Sequence, residues 1–409
     1  MAGDQLFRPR LRAVEILPAQ GPQGQVYLLR DPLGVAAEDA AVPAPALFLM
    51  QFMDGTRDAA ELAAEFHRQT GQGVGIDQVE RLSRQLEEKN LLEGERFEQA
   101  LTAKVEAYRQ APRRESILAG QGLPAERGEA AAELDRILAD RPAPEQEPAG
   151  PAAGLVAPHI DLARGRRGYA LAYGWLAGQP RPDRVIILGT SHNGATRPLI
   201  PTDKPFRTPL GEAAADRPFL ARIEGCLDAE ARRFEFLHLR EHSLEFQVLF
   251  LQHLALEEPP PLVPLMTGPL PVGPEGSPGG TDEVEELVAT LTRAMVEAGG
   301  RTLVIAGADL AHLGPDFGDE EPVDAEVLAQ LEEEDRESLR LAAAGEAEAF
   351  YRQVAAGDNP RRVCGLAPIY LLLRLLPGRR GTLLGYEQAV AEEGRQCVSF
   401  AALAFTGGE

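Results

Sequence analysis

Cysteine is scarce in this 409-residue chain, at Cys226, Cys364 and Cys397 only. An odd, sparse set excludes a disulfide framework and fits a reducing compartment. Long apolar runs are missing too, so no segment reads as a membrane span. The opening MAGDQLFRPRLRA has no apolar stretch of the signal-peptide kind, which makes the cytoplasm the expected location. Positive charge is in deficit: 41 basic against 63 acidic residues leave a net charge of −22. Phosphate-backbone binding needs clustered Lys and Arg, so neither a nucleic acid nor a membrane is expected as partner. Motifs are missing as well. There is no Walker phosphate loop, no G-x-S-x-G elbow and no H-E-x-x-H. Histidine is rare, at seven, so the placing of each one carries weight.

What is present reads as soluble and globular, with 44% hydrophobic and 25% charged residues. The length favours two domains. Residues 25–30 alternate like a half-exposed strand, and DPLG after them signals a turn. ALFLMQFM at 46–53 reads as a buried helix. Asp58 caps a helix to about Gln69, and 76–94 reads as another, capped by Asp77 and closed by Gly94. Strand and three helices suggest a winged-helix-like α+β module over residues 1–96. Its acidic balance favours a peptide or protein partner over DNA. Residues 97–112 continue as a helical spacer. The Pro-, Gly- and Glu-rich stretch 142–154 is a linker or an internal loop.

Residues 113–409 alternate strands and helices, the pattern of an α/β layered domain with a mainly parallel sheet. GLVAPHI, a helix at 164–178 and RVIILGTSH have βαβ spacing. Parallel strands point the same way, so His159 and His192 emerge at one carboxyl edge, where open α/β folds bind ligands. Asp309 and His312 follow a third strand, TLVIAG, and share that edge. REHSLEFQ puts Glu241, His242 and Glu245 within one helical turn. Cys364 stands at the start of an apolar helix, where exposed N–H groups favour a thiolate. With two imidazoles, a thiolate suits Zn(II), Cu(I) or Fe(II).

These segments together resemble the Memo family, known in bacterial genomes as AmmeMemoRadiSam system protein B. APHIDLARG, ILGTSH, FRTPLGE, EHSLEFQVLFLQ, GADLAHLG and VCGLAPIYLLL match its motifs in order. The resemblance implies the fold of class III extradiol dioxygenases over residues 113–409. It implies His159, His192 and Cys364 as metal ligands, the Cys standing where the dioxygenases carry a carboxylate. His312, with Asp309 and His242, would do acid–base work, Glu241 and Glu245 would line or support the pocket, and Ser191 would line it. The metal would be a transition ion, iron or copper ahead of zinc. The partners implied are a radical SAM protein and an Ammecr-type protein. The chain departs from the family after His159, where IDLARG replaces A-G-Y. Residues 1–96 resemble PqqD-like peptide-recognition modules in element order. Two functions are expected in consequence: a metal-dependent redox enzyme, or a non-catalytic adaptor that binds peptide or protein.

Overall fold

The computed structural model describes residues 7–21, 24–36, 38–255 and 258–407. The chain divides into two compact units, Met1–Gln110 and Ala111–Glu409.

The first unit opens with a three-stranded antiparallel sheet in the order β1 (Glu15–Gly21), β2 (Gly24–Arg30), β3 (Ala40–Val42). Only β2 shows in the sequence. β1 is largely exposed and contains proline, and β3 is three residues long, so neither carries a period of two. Helices α1 (Ala44–Met50), α2 (Ala59–Thr70), α3 (Ile76–Glu88) and α4 (Glu95–Gln110) come next. Asp58 accepts the Ala60 and Glu61 N–H groups while Glu61 accepts the Asp58 N–H, a reciprocal cap. Two expectations are corrected for α3. Its N-cap is Gly75, with Gln78 accepting the Gly75 N–H, so Asp77 lies inside the helix. It stops at Glu88, and Gly94 opens α4 instead of closing α3. Asn90, at φ 58°, reverses the chain between them. Nor is α4 a bare spacer. Phe97, Leu101, Val105 and Tyr108 are buried along one stripe, and Arg12 stacks 3.7 Å from the Phe97 ring centre.

The second unit begins with α5 (Arg127–Ala139), then β4 (Ala152–Ala157), α6 (Arg166–Leu176) and β5 (Arg184–Thr190). The proline-rich stretch 142–154 lies inside the unit, a loop up to 151 that runs into β4, tied down by the Glu145 N–H donating to Leu384 O. Short strands β6 (Leu199–Pro201), β7 (Phe206–Thr208) and β8 (Gly211–Ala213) lead to α7 (Arg217–Ile223) and α8 (Ala229–Arg233). Next come α9 (Ser243–Ala255), β9 (Leu262–Thr267), α10 (Asp282–Ala298), β10 (Thr302–Gly307) and β11 (His312–Leu313). The chain closes with α11 (Ala325–Ala344), α12 (Ala347–Ala355), α13 (Leu366–Leu375), β12 (Gly381–Ala391) and β13 (Gln396–Thr406).

Among the described residues the main sheet has the order β11-β13-β4-β10-β5-β9-β6, with β12 also pairing β13. β4, β10, β5 and β9 are parallel, and the outer strands are antiparallel. One detail differs from the βαβ reading: β10 lies between β4 and β5. Crossover spacing fixes the direction of β5 relative to β4 but not which strand comes between them. Val304, Ala306, Ile186 and Leu188 face one core with α7, α10, α12 and α13. The opposite face, where Gly189 and Gly307 lie, takes α9. Each fully buried Val, Ile or Leu contributes roughly 1.5–3 kcal/mol, which fastens both helical layers to the sheet.

Candidate metal centre

Register sets the site. Gly307 of β10 pairs with Ala157 of β4 and with Gly189 of β5, so three parallel strands end level. The residues just past them are Pro158 and His159, Ser191 and His192, and Ala308 with Asp309. The Glu241–His242 pair precedes α9, which packs over the same ends. Cys364 immediately precedes Gly365, the N-cap of α13, and its carbonyl accepts the Thr190 hydroxyl at 3.1 Å.

His159, His192 and His242 offer ring nitrogens that all lie within 4.8 Å of one another. The His192 and His242 rings stack at 4.8 Å, and His159 stands edge-on to both, at 5.0 and 5.4 Å. His159 is the buried floor and His192 the solvent-facing rim. The sequence assigned His242 to acid–base work and Cys364 to the third ligand place. The structure puts all four side chains together: the three rings cluster, and Cys364 Sγ lies 3.3 Å from His159 Nε2.

The outer ring nitrogens are fixed. His159 Nδ1 faces Gly307 O at 2.9 Å, and a carbonyl can only accept, so Nδ1 carries the hydrogen and Nε2 points inward. His192 Nδ1 lies 3.1 Å from Glu241 Oε1, and the His192 backbone N–H donates to Oε2 at 3.0 Å. Burial alone would raise the Glu241 carboxyl. The facing His192, its hydrogen bonds and His242 outweigh that and hold it well below the usual carboxylate range. Glu241 is therefore an ionised anchor for His192. For His242 burial dominates and lowers its pKa to about 4, so it is a neutral imidazole.

The thiol is matched to this setting. Burial by itself would push Cys364 up. The charge on His159, with hydrogen bonds from His159 and His192, brings it down to about 5. His159 moves the opposite way: burial would lower it, but Asp309 and Cys364 carry it up. The two groups are thus pushed toward opposite charges at the place where a cation would sit. Cys226 and Cys397 contrast with it, as burial pushes both up to about 11.

These donors fit a metal ion. A tetrahedral ion with nitrogen at about 2.0 Å and sulfur at about 2.3 Å holds neighbouring N and S atoms about 3.5 Å apart. The observed 3.3 Å is close to that edge. Fixed outer nitrogens are the usual support for ligating imidazoles.

Asp309 stands beside His159. It accepts the His159 backbone N–H at 2.9 Å, and its other oxygen is 3.6 Å from Nε2. His312 Nδ1 faces Leu310 O and Arg362 O, both at 3.2 Å, leaving Nε2 for a reacting group, with the Phe317 ring edge-on at 5.1 Å. The Ser191 N–H donates to Thr267 O, and its buried hydroxyl has no partner among the described residues. Glu245 was expected to line or support the pocket. It is fully buried, paired with Arg114 and accepting the N–H groups of Ile117 and Leu118. Arg114 escaped the sequence reading, although it donates to His238 O at 2.9 Å and to Glu241 O at 2.6 Å. Gln247 escaped as well. It donates to Pro158 O at 3.0 Å, next to His159. The available signal was polar Glu245 and Gln247 inside the otherwise apolar run SLEFQVLFLQ.

Comparison with known proteins agrees with this architecture. The family model described as Memo-like protein matches residues 114–404. The chain belongs to the Memo-like family. A MEMO1 family protein of Aquifex aeolicus is 28% identical over 402 residues, 98% of this chain and 100% of its own length. One from Thermus thermophilus is 30% identical over 335 residues, 82% of this chain and 94% of its own. One from Methanosarcina mazei is 29% identical over 276 residues, 67% and 91%. The second unit of this Memo-like protein thus carries the family match. The Aquifex relative also aligns through the first unit.

Proposed function

We propose that this Memo-like protein holds one transition-metal ion between His159, His192, His242 and Cys364. The supporting observation is the convergence of three imidazoles and a low-pKa thiol from four chain segments, with two of the outer ring nitrogens already fixed. Iron or copper, ahead of zinc, would supply Lewis acidity and redox capacity to this nitrogen and sulfur donor set. The protein does the rest. Glu241 and Gly307 O aim the rings. Asp309 sets the charge beside His159. His312, held at Nδ1, presents Nε2 as a proton carrier at the mouth of the site. The reading is a redox, dioxygenase-like chemistry in an AmmeMemoRadiSam system, with the first unit docking a radical SAM protein or an Ammecr-type protein. Metal analysis of protein purified anaerobically under reductant tests the centre. About one equivalent is expected in the parent. Glu241→Gln should weaken affinity roughly 10–100-fold, the usual effect of losing an outer hydrogen-bond partner. A reduced parent that takes up no iron, copper or zinc overturns the proposal.

A groove in the first unit favours a second reading, the non-catalytic adaptor. It encloses about 460 Å³ and is lined by Phe7, Pro9, Ile76, Glu80, Ser83 and Glu87, among others. Phe7 and Ile76 are half exposed, and Glu80 and Glu87 add negative charge beside them. This surface suits a peptide segment with apolar and basic side chains. Turnover of a catechol-like substrate that disappears in His312→Ala would decide against the adaptor reading.

A further inference from the structure

His312 opens β11 and Cys364 lies just before α13, and one buried carboxylate reaches the backbone beside both. Asp335, in the middle of α11, is fully buried. One of its oxygens pairs with the Arg361 guanidinium. The other accepts the Ser399 hydroxyl at 2.5 Å and the Tyr386 hydroxyl at 3.0 Å.

Each arm ends on the backbone around His312. Arg361 O accepts the His312 N–H at 2.8 Å, and Cys364 lies three residues further on. The Ser399 hydroxyl accepts the Ala311 N–H at 2.9 Å. The Ser399 backbone bonds Leu310 and Ala311 on either side, at 2.7 and 3.0 Å. The turn that leads to Cys364 is strained: Asn359 and Arg362 both stand at φ 52°. Such a turn persists when its surroundings hold it. Arg361 shares in the hold, donating also to Ser338 at 3.0 Å, beside the Asn359–Val363 bonds and the Arg362–Asp319 pair.

Filling space does not require an ion pair. Apolar side chains of similar volume often serve the fold equally well or better. What a carboxylate and a guanidinium add is direction, because each oxygen and each N–H fixes an angle as well as a distance.

We propose that Asp335 is a positioning residue which, through Arg361 and Ser399, sets the place of the thiol of Cys364 relative to His312 and the histidine cluster. It touches none of the donors itself. This inference rests on the metal-centre reading above.

Cobalt(II) titration of the anaerobically reduced full chain tests it. The readouts are affinity, the near-ultraviolet thiolate-to-cobalt charge-transfer band, and thermal melting. The parent should show the band and Cys364→Ser should lack it. Asp335→Asn keeps the shape but removes the charge. It should lose most of the band and bind cobalt at least tenfold more weakly while still melting cooperatively. Arg361→Lys should lie between parent and Asp335→Asn, and it decides alone if Asp335→Asn does not fold. Tyr386→Phe, which spares both arms, should keep the band. A merely structural role lowers the melting temperature and leaves the band intact. That outcome in folded variants overturns the inference while sparing the centre. A parent that binds no cobalt overturns the metal reading and this inference with it.

Discussion

A histidine becomes a dependable ligand when one ring nitrogen is tied and the other is left free. His159 and His192 meet that condition through Gly307 O and Glu241. His238 meets it too but lies outside the cluster. Its Nε2 donates to Ile200 O at 2.9 Å, and Nδ1 is buried without a partner among the described residues. Burial lowers its pKa from 6.5 to about 4; the Ile200 bond opposes this and nearby Arg114 adds to it. The unfolded chain therefore takes up a proton between pH 6.5 and pH 4 that the folded chain refuses. The stability linked to His238 is whole above pH 6.5 and is lost as pH falls toward 4, up to about 3 kcal/mol. Urea unfolding at pH 7 and pH 4.5 should show a smaller acid loss in His238→Gln than in the parent. Equal losses in the two proteins would remove His238 from the account.

Elements decide how closely those residues meet. Helix α9 crosses the ends of β5 and β10 where both strands carry glycine. A Cβ on Gly189 would stand 2.6 Å from Leu244 Cγ, and one on Gly307 would stand 2.6 Å from Ser243 O. The close approach brings Glu241 and His242, just before the helix, over the strand ends. Gly189→Ala should cost about 1–3 kcal/mol, the usual penalty of overpacking, and lower the melting temperature. It should also weaken metal binding, since His192 and His242 would be pushed apart. An alanine variant as stable as the parent would show that α9 gives way easily. Much at this scale was legible in the sequence. VIILG and TLVIAG are too apolar to be exposed, and parallel strands deliver His192 and Asp309 to one edge. Helical spacing brought Glu241, His242 and Glu245 together but could not name Arg114 as the partner of Glu245.

At the scale of the whole molecule each unit has a main core of its own. Leu29, Leu62, Val79 and Leu91 belong to one, and Ile186, Val263, Val304 and Leu372 to the other. Every proposed metal ligand lies in the second unit. A chain beginning at Ala111 should fold cooperatively and bind metal with the stoichiometry of the full protein, measured by calorimetry and metal analysis. Loss of metal binding in that well-folded shorter chain would make the first unit part of the centre. In the described residues no helix is long and apolar enough to cross a membrane, in keeping with the absence of long apolar runs.

The residues alone determined the α/β class, the strand ends that carry His159, His192 and Asp309, and the family, because local periodicity and ordered motifs are written along the chain. Only tertiary structure decided that β10 runs between β4 and β5, that His242 joins the other two rings, and that Arg114, Asp335 and Arg361 lie buried around the site. Those outcomes depend on contacts between segments as much as 205 residues apart, such as Cys364 and His159. Side-chain spacing in one segment carries no record of the partner that packing will bring to it.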